Sequence, residues 1–322
     1  MVHICAIQAA PTLFDKPSTE EKFNSWLNAA KQEDADLAVF PETFLGGYPK
    51  GVDFGVRVGS RNAEGRELFR LYYENAYSRD GDEFTQIRKM VAEASINVVV
   101  GLVERVGDTL HCAAATLNRD GEIIGWRRKL QPTAMERVIW GMGDGSTLNV
   151  AETDIGRVSA CICWENYMTP LRMHMFNQRT QIYTAPTVDD RPVWVPSMQM
   201  IALEGRCFVV SACQFMTRGD VADGVDYDAL QGTQADTVLI NGGSTIISPM
   251  GDILAAPVYG TSRLVSAEID LNDITRGKFD MDGAGHYARP DIFNLKIDTT
   301  PRLIGTPETT PKTAPETAKN TA

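Results

Sequence analysis

Residues 156–178 read GRVSACICWENYMTPLRMHMFNQ. A run of small and β-favouring residues, VSACI, stops at Cys163 beside Trp164 and Glu165, and Pro170 then opens a helical stretch. The alternation continues with strand-like QIYTAPT (181–187), helical PSMQMIALEGR (196–206) and strand-like CFVVSACQF (207–215). Strand and helix segments in alternation pack as layers of helix against sheet, so the sequence predicts an α/β protein. The position of Cys163 is unusual, because the strand ends on a thiol next to an acid. A buried cysteine is ordinarily a small core hydrophobe, and a chemical role needs support from elsewhere in the chain.

Working outward, VHICAIQAA (2–10) reads as a buried first strand, and PSTEEKFNSWLNAAKQ (17–32) carries Phe23, Trp26, Leu27 and Ala30 at helical spacing. Ser18 and Glu21 have the spacing of a capping box at its start. The short apolar run DLAVF (36–40) leads directly into PETFLGGYPKG (41–51), whose prolines and glycines forbid regular structure, so Glu42 sits just past a strand end. Helices are expected around 63–77 and over 83–95, the latter with Phe84, Ile87, Met90, Val91 and Ala94 on one face. INVVVGLVER, LHCAAATLN and EIIGWRRKL are three β-type runs separated by turn sequences, an antiparallel meander ending at Lys129. STIISP (244–249) and RLVSAEIDL (263–271) read as a last pair flanking the turn MGD.

With 322 residues, 43% of them hydrophobic, the chain can bury a large core. A formal charge of -11, with no block of Lys or Arg, excludes nucleic acid and anionic membrane as natural partners and points to a small substrate. Six scattered cysteines without a Cys-x-x-Cys pair fit reduced thiols and a cytoplasmic location, and the first residues lack a basic leader or a spanning segment. Neither the cysteines nor the four scattered histidines have zinc spacing, and no cofactor or metal is expected. Residues 304–322, rich in Pro and Thr, predict a disordered tail behind one domain over 1–303.

Glu42, Lys129 and Cys163 share one placement: each closes an apolar strand. Strand ends in layered α/β proteins converge on a crevice. A free thiol titrates near 8.5, so a nucleophilic cysteine needs a base or a neighbouring positive charge. Glutamate can be that base, and a lysine ammonium can steady the charge that develops on the attacked atom. Trp164 and Tyr48 flank the thiol and the acid as candidate pocket walls, and the loop TAPTVDDRPVWVP around Trp194 is a further candidate for shaping substrate access. Cys161, two residues before Cys163, is expected to point along the same strand face but to serve packing.

FPETFLGGYPKG, RRKLQPTAMERVIWGMGDGS, CWENY and the late GHYARPD resemble, in order, the signature blocks of the nitrilase branch of the carbon-nitrogen hydrolases, over roughly residues 3 to 297. The resemblance implies a four-layer α-β-β-α sandwich, paired across a helix layer into dimers and assembled further into spirals or filaments. It implies Glu42 as general base, Lys129 as stabilising ammonium, Cys163 as nucleophile and Glu136 as a second active-site glutamate that positions Lys129 and substrate. The implied reaction is hydrolysis of an organic nitrile to the carboxylic acid and ammonia through a cysteine thioimidate. An amidase or a cyanide-converting enzyme of the same superfamily is the alternative, and an assembly scaffold with a vestigial trio is the alternative of another class. CWEN together with GMGDGS favours nitriles over amides. Two departures stand out: Arg127 replaces a histidine common in the family, and Thr169 precedes Pro170 where proline usually comes one place earlier.

Overall fold

A computed structural model describes residues 1–225 and 231–302. In chain order the elements are β1 (Val2–Gln8), α1 (Lys16–Gln32), β2 (Leu37–Val39), the ribbon β3 (Val56–Arg57) and β4 (Ser60–Arg61), α2 (Ala63–Glu74) and α3 (Asp82–Ala94). Then come β5 (Asn97–Val106), β6 (Thr109–Leu117), β7 (Ile123–Arg128), β8 (Ala151–Thr153), β9 (Gly156–Ala160), α4 (Thr169–Asn177), β10 (Ile182–Thr187) and α5 (Trp194–Gly205). The chain continues with β11 (Phe208–Cys213), a second ribbon of β12 (Phe215–Thr217) and β13 (Val238–Asn241), then β14 (Thr245–Ile247), β15 (Ile253–Ala255), β16 (Arg263–Ile269) and α6 (Asn272–Gly277).

Two six-stranded sheets form, one ordered β16-β1-β2-β5-β6-β7 and the other β15-β14-β11-β10-β9-β8. Period-two alternation assigns the faces. On β1, Ile4 and Ala6 face the core between the sheets, where Val99, Val158, Ile182 and Val210 also lie, whereas Cys5 and Ile7 face outward under α1 and α3. Phe23, Leu27 and Ala30 of α1 and Phe84, Ile87 and Val91 of α3 cover that outer face. Each of these buried side chains other than Ala30 contributes about 1.5–3 kcal/mol. On the second sheet Tyr183, Ala185 and Val209 face Met175, Trp194 and Met198 of α4 and α5. The layers therefore run α-β-β-α, the architecture that the resemblance implied.

The 3.6 and 2.0 periodicities fixed the element types, and long-range pairing decided the rest. The meander β5-β6-β7 is antiparallel as expected. Helix α1 starts before the expected capping box: Asp15 is the N-cap, accepting from the backbone N of Ser18 at 3.0 Å, because Pro17 is accommodated within the first turn. The stretch 263–271 does not pair with 244–249. Ile253–Ala255 takes that place across the turn, while β16 crosses to the other sheet and pairs along the whole of β1. Cys161 and Cys163 do not share a face. Beyond Ala160 the backbone turns, and Cys163 has φ of +49°, which sends Cys161 into the core under α4 and α5 and Cys163 toward the space between the sheets. The expected tail, 304–322, lies outside the described residues.

Candidate active site

In the first sheet β2 and β5 are parallel and β6 reverses direction twice with its neighbours, so β2 and β7 end on the same side. In the second sheet β9, β10 and β11 run parallel. Glu42 follows β2, Lys129 follows β7, Cys163 follows β9, and Thr187 closes β10. Strand order thus delivers four chemistry-bearing side chains to one end of the sandwich.

The turn carrying Glu42 lies directly on β5. Leu45 N donates to Gly101 O at 3.0 Å, and Gln214 Nε2 at the end of β11 donates to Glu42 O at 2.8 Å. Gly101 makes this approach possible: a Cβ there would stand 2.2 Å from Pro41 O and 2.7 Å from Glu42 Cα. Lys129 is held by its own backbone, N donating to Cys112 O and O accepting from Gly143 N, both at 2.8 Å.

Lys129 is completely buried, and its Nζ donates to Glu42 Oε1 and to Glu136 Oε2, each at 2.7 Å. Glu136 stands on the short turn Ala134–Val138, where Thr133 N at 2.6 Å and Tyr48 OH at 2.8 Å also donate to it. Trp140 closes this side, 5.8 Å from both Lys129 Nζ and the Tyr48 ring. Burial lowers the Lys129 pKa, but the carboxylates around it outweigh burial and hold it well above the ordinary lysine value, so it is an ammonium. Burial raises Glu42 above the usual carboxylate range, with Lys129 opposing. Glu42 Oε2 has no partner in ordinary hydrogen-bond geometry, and the Cys163 thiol acts on this carboxylate as a weak donor.

Cys163 is 4% exposed and opens the turn Cys163–Tyr167 in a left-handed backbone conformation that costs a non-glycine residue free energy. Asn166 Nδ2 pins the Cys163 carbonyl at 2.7 Å and is itself held by Tyr183 OH. Burial and the nearby Glu42 push the thiol pKa up, so it rests protonated. Glu165 ties two strand ends together. Its carboxylate accepts from Ile162 N at 2.6 Å and Leu130 N at 3.0 Å, the residues flanking Cys163 and Lys129, and pairs with the buried Arg127 guanidinium. A neutral thiol, a base of raised pKa and a fixed ammonium together can perform covalent addition to a carbon-nitrogen bond.

Cys163, Glu136, Tyr48 and Trp164 line one cavity of about 250 Å³ with Lys50, Asp189 and Arg191. Trp164 is 42% exposed, its Nε1 donating to Asp189 Oδ2 at 2.8 Å and its face covered by Arg191. A second cavity of about 390 Å³, lined by Val52, Phe54 and Ile139, shares Tyr48, Lys50 and Glu136 with the first.

Residues 3–279 match the pattern that defines carbon-nitrogen hydrolases. The chain belongs to the carbon-nitrogen hydrolase family. Among its relatives, a nitrilase of Bradyrhizobium diazoefficiens is 49% identical over 92% of this chain and 92% of its own. An arylacetonitrilase of Trametes versicolor is 45% identical over 92% of this chain and 96% of its own. A solved carbon-nitrogen hydrolase of Helicobacter pylori has the same fold at 18% identity, with a TM-score of 0.69 over 91% of this chain and 97% of that one.

In this carbon-nitrogen hydrolase Glu42, Lys129, Cys163, Glu136, Tyr48 and Trp164 lie together at one end of the sandwich, and Trp194 lies apart from them. Trp194 begins α5, is 1% exposed, and donates from Nε1 to Ser211 Oγ at 2.8 Å inside the core of the helix-covered face. It touches Tyr167 edge-on and lines neither of these cavities. The residues of the loop TAPTVDDRPVWVP that do line the first cavity are Val188, Asp189, Asp190 and Arg191. Thr187 and Glu165 were the residues missed. Thr187 has the same strand-end placement that singled out the other three, and Glu165 lies inside CWEN. Away from the site, His3, Cys5 and Glu33 also lie close together, with the Cys5 thiol donating to Glu33 at 3.8 Å.

Proposed function

We propose that this protein hydrolyses an organic nitrile to the carboxylic acid and ammonia. The observation that carries the reading is the hydrogen-bonded row Glu136–Lys129–Glu42, buried at Lys129 and Glu42, which reaches Cys163 in the lining of a small cavity. The naming of its relatives as nitrilases favours nitriles over amides.

Glu42 takes the Cys163 proton, and the sulfur adds to the nitrile carbon. Negative charge gathers on nitrogen, where the Lys129 ammonium meets it, and the proton from Glu42 completes the thioimidate. Water then adds, deprotonated by Glu42, and the tetrahedral species expels ammonia to leave a thioester. A second water releases the acid and returns the thiol. Glu136 and the neutral Tyr48 hydroxyl hold Lys129 in place throughout, and Trp164 forms the wall against the nitrile substituent.

The self-association expected from the resemblance has support in exposed apolar side chains of the last described segment, including Phe279, Tyr287 and Phe293. A reducing, cytoplasmic location has support in six free, buried cysteines. Among the described residues no helix is long and apolar enough to cross a membrane.

The test is ammonia release from aliphatic, aryl and arylacetonitriles, cyanide and the matching amides, run beside Cys163→Ala. Nitrile turnover that vanishes in the variant is expected. Release from amides alone would move the protein to the amidases, and an intact assembly with no turnover would return the scaffold reading.

A further inference from the structure

Thr187 is fully buried at the end of β10, and its Oγ1 donates to Cys163 Sγ at 3.3 Å. Parallel pairing of β10 with β9 prepares this contact: Thr184 lies opposite Ala160, and three residues further Thr187 closes β10 while the turn after β9 brings Cys163 against it. The direction of the hydroxyl is fixed from the other side. Asp189 N donates to Thr187 Oγ1 at 2.9 Å, which occupies an oxygen lone pair and leaves the hydroxyl hydrogen for the sulfur. Asp189 is in turn held by Arg191 Nε at 2.7 Å and by Trp164 Nε1 at 2.8 Å, so the loop residue that orients the hydroxyl is itself anchored.

The charges around the sulfur give this hydroxyl its importance. Glu42 repels a thiolate, and burial disfavours one. Lys129 attracts it, but its ammonium is shared with Glu42 and Glu136. The Thr187 hydroxyl acts in the same direction as Lys129, lowering the proton affinity of the thiol without adding charge to the cavity.

We propose that Thr187 is a further catalytic residue, whose hydroxyl stabilises the Cys163 sulfur as an anion when it attacks and again when it departs. In the attack, the S–H proton passes to Glu42, the sulfur lone pair forms the C–S bond, and one π pair of the nitrile moves to nitrogen. In breakdown of the hydrated thioimidate, either the C–N bond breaks and ammonia leaves toward the acid, or the C–S bond breaks and the thiolate leaves toward the amide. A donor on sulfur favours the second route. The inference rests on Cys163 being the attacking sulfur.

The experiment compares Thr187→Val, which keeps shape and removes the hydroxyl, with Thr187→Ser, which keeps the hydroxyl, in the full chain. Cys163 alkylation by iodoacetamide is followed by peptide mass across pH, together with kcat, KM and the amide share on a nitrile from which the wild type releases both products. Thr187→Val should slow alkylation and kcat on the order of tenfold to a hundredfold with KM little changed. It should also lower the amide share, and Thr187→Ser should recover most of both. Wild-type alkylation and kcat in a folded Thr187→Val protein overturn the proposal. A serine variant no better than the valine one assigns the loss to packing and overturns it too. If Thr187→Val does not fold, Thr187→Ser against Thr187→Ala carries the same comparison with the same overturning result. Cys163→Ala runs alongside: turnover there removes the nucleophile itself, whereas a dead Cys163→Ala with a normal Thr187→Val removes Thr187 alone.

Discussion

The ammonium of Lys129 lies 2.7 Å from Glu42 Oε1, and both side chains are wholly buried. Because Glu136 claims the same ammonium from the other side, one positive charge balances two carboxylates inside the protein. An arrangement of this kind is costly to assemble and strongly destabilised when one member is removed. Lys129→Met should therefore leave two carboxylates uncompensated, lower stability by about 3–5 kcal/mol and cut kcat/KM by about a hundredfold to a thousandfold. Urea titration and ammonia release on the same preparation check both effects, and a variant that loses stability while keeping turnover would remove Lys129 from the chemistry.

The pH dependence of turnover follows from Glu42. Burial raises its pKa above the ordinary 4.5, and only the carboxylate form accepts the Cys163 proton. As pH falls through this raised value the base is lost, so kcat/KM should decline on the acid side with a midpoint above 4.5. The midpoint belongs to the Glu42–Lys129–Glu136 group as a whole. Lys129 stays charged well above 10.5, so its deprotonation adds no loss at neutral or mildly alkaline pH. Initial rates at low substrate across pH decide this, and a profile flat through 4.5 would contradict it.

How much of this was legible before the structure depends on the range of each interaction. Residues 83–95 carry their helix in their own periodicity, and the end of each strand was visible where apolar runs stop at Glu42, Lys129 and Cys163. Partners chosen over long distances were not. β16 pairs with β1 from more than two hundred residues away, and nothing in its local pattern distinguishes that partner from β14. Trp194 illustrates the same limit within one segment: TAPTVDDRPVWVP reads as a loop that shapes substrate access, yet α5 begins at Trp194 and turns the indole into the core. Thr187 was hidden because a threonine at a strand end carries no chemical signal until its hydroxyl is seen against a sulfur.

Arg127 and Glu165 couple the two sheets just behind the site. Arg127 Nε donates to Ala160 O at 2.9 Å, and its guanidinium pairs with the carboxylate that holds Ile162 N and Leu130 N. Arg127→Met would leave Glu165 buried without its counter-charge, with an expected loss of about 3–5 kcal/mol. Arg127→Lys keeps the charge but loses the planar fork, and about 1–2 kcal/mol should suffice for it. Midpoints of chemical unfolding for the two variants test the order. Equal stability of Arg127→Met and wild type would show that the pair contributes nothing.

Trp164 and Trp194 offer a contrast within one residue type. Trp164 stands on the cavity wall beside Cys163 and is partly exposed, so Trp164→Ala removes little packing and enlarges the space available to the nitrile substituent. Its expected effect is a change of at least about fivefold in the relative kcat/KM of bulky and small nitriles, about 1 kcal/mol of differential binding, with unfolding shifted by less than about 1.5 kcal/mol. Trp194→Ala opens a void among Tyr183, Ala185 and Met198 and leaves Ser211 Oγ without its donor, with an expected loss of about 3–5 kcal/mol and no change in substrate ranking. Unfolding midpoints and a nitrile panel for the two variants decide the matter. If Trp194→Ala reorders the panel while Trp164→Ala leaves it unchanged, the substrate lies against a wall other than Trp164.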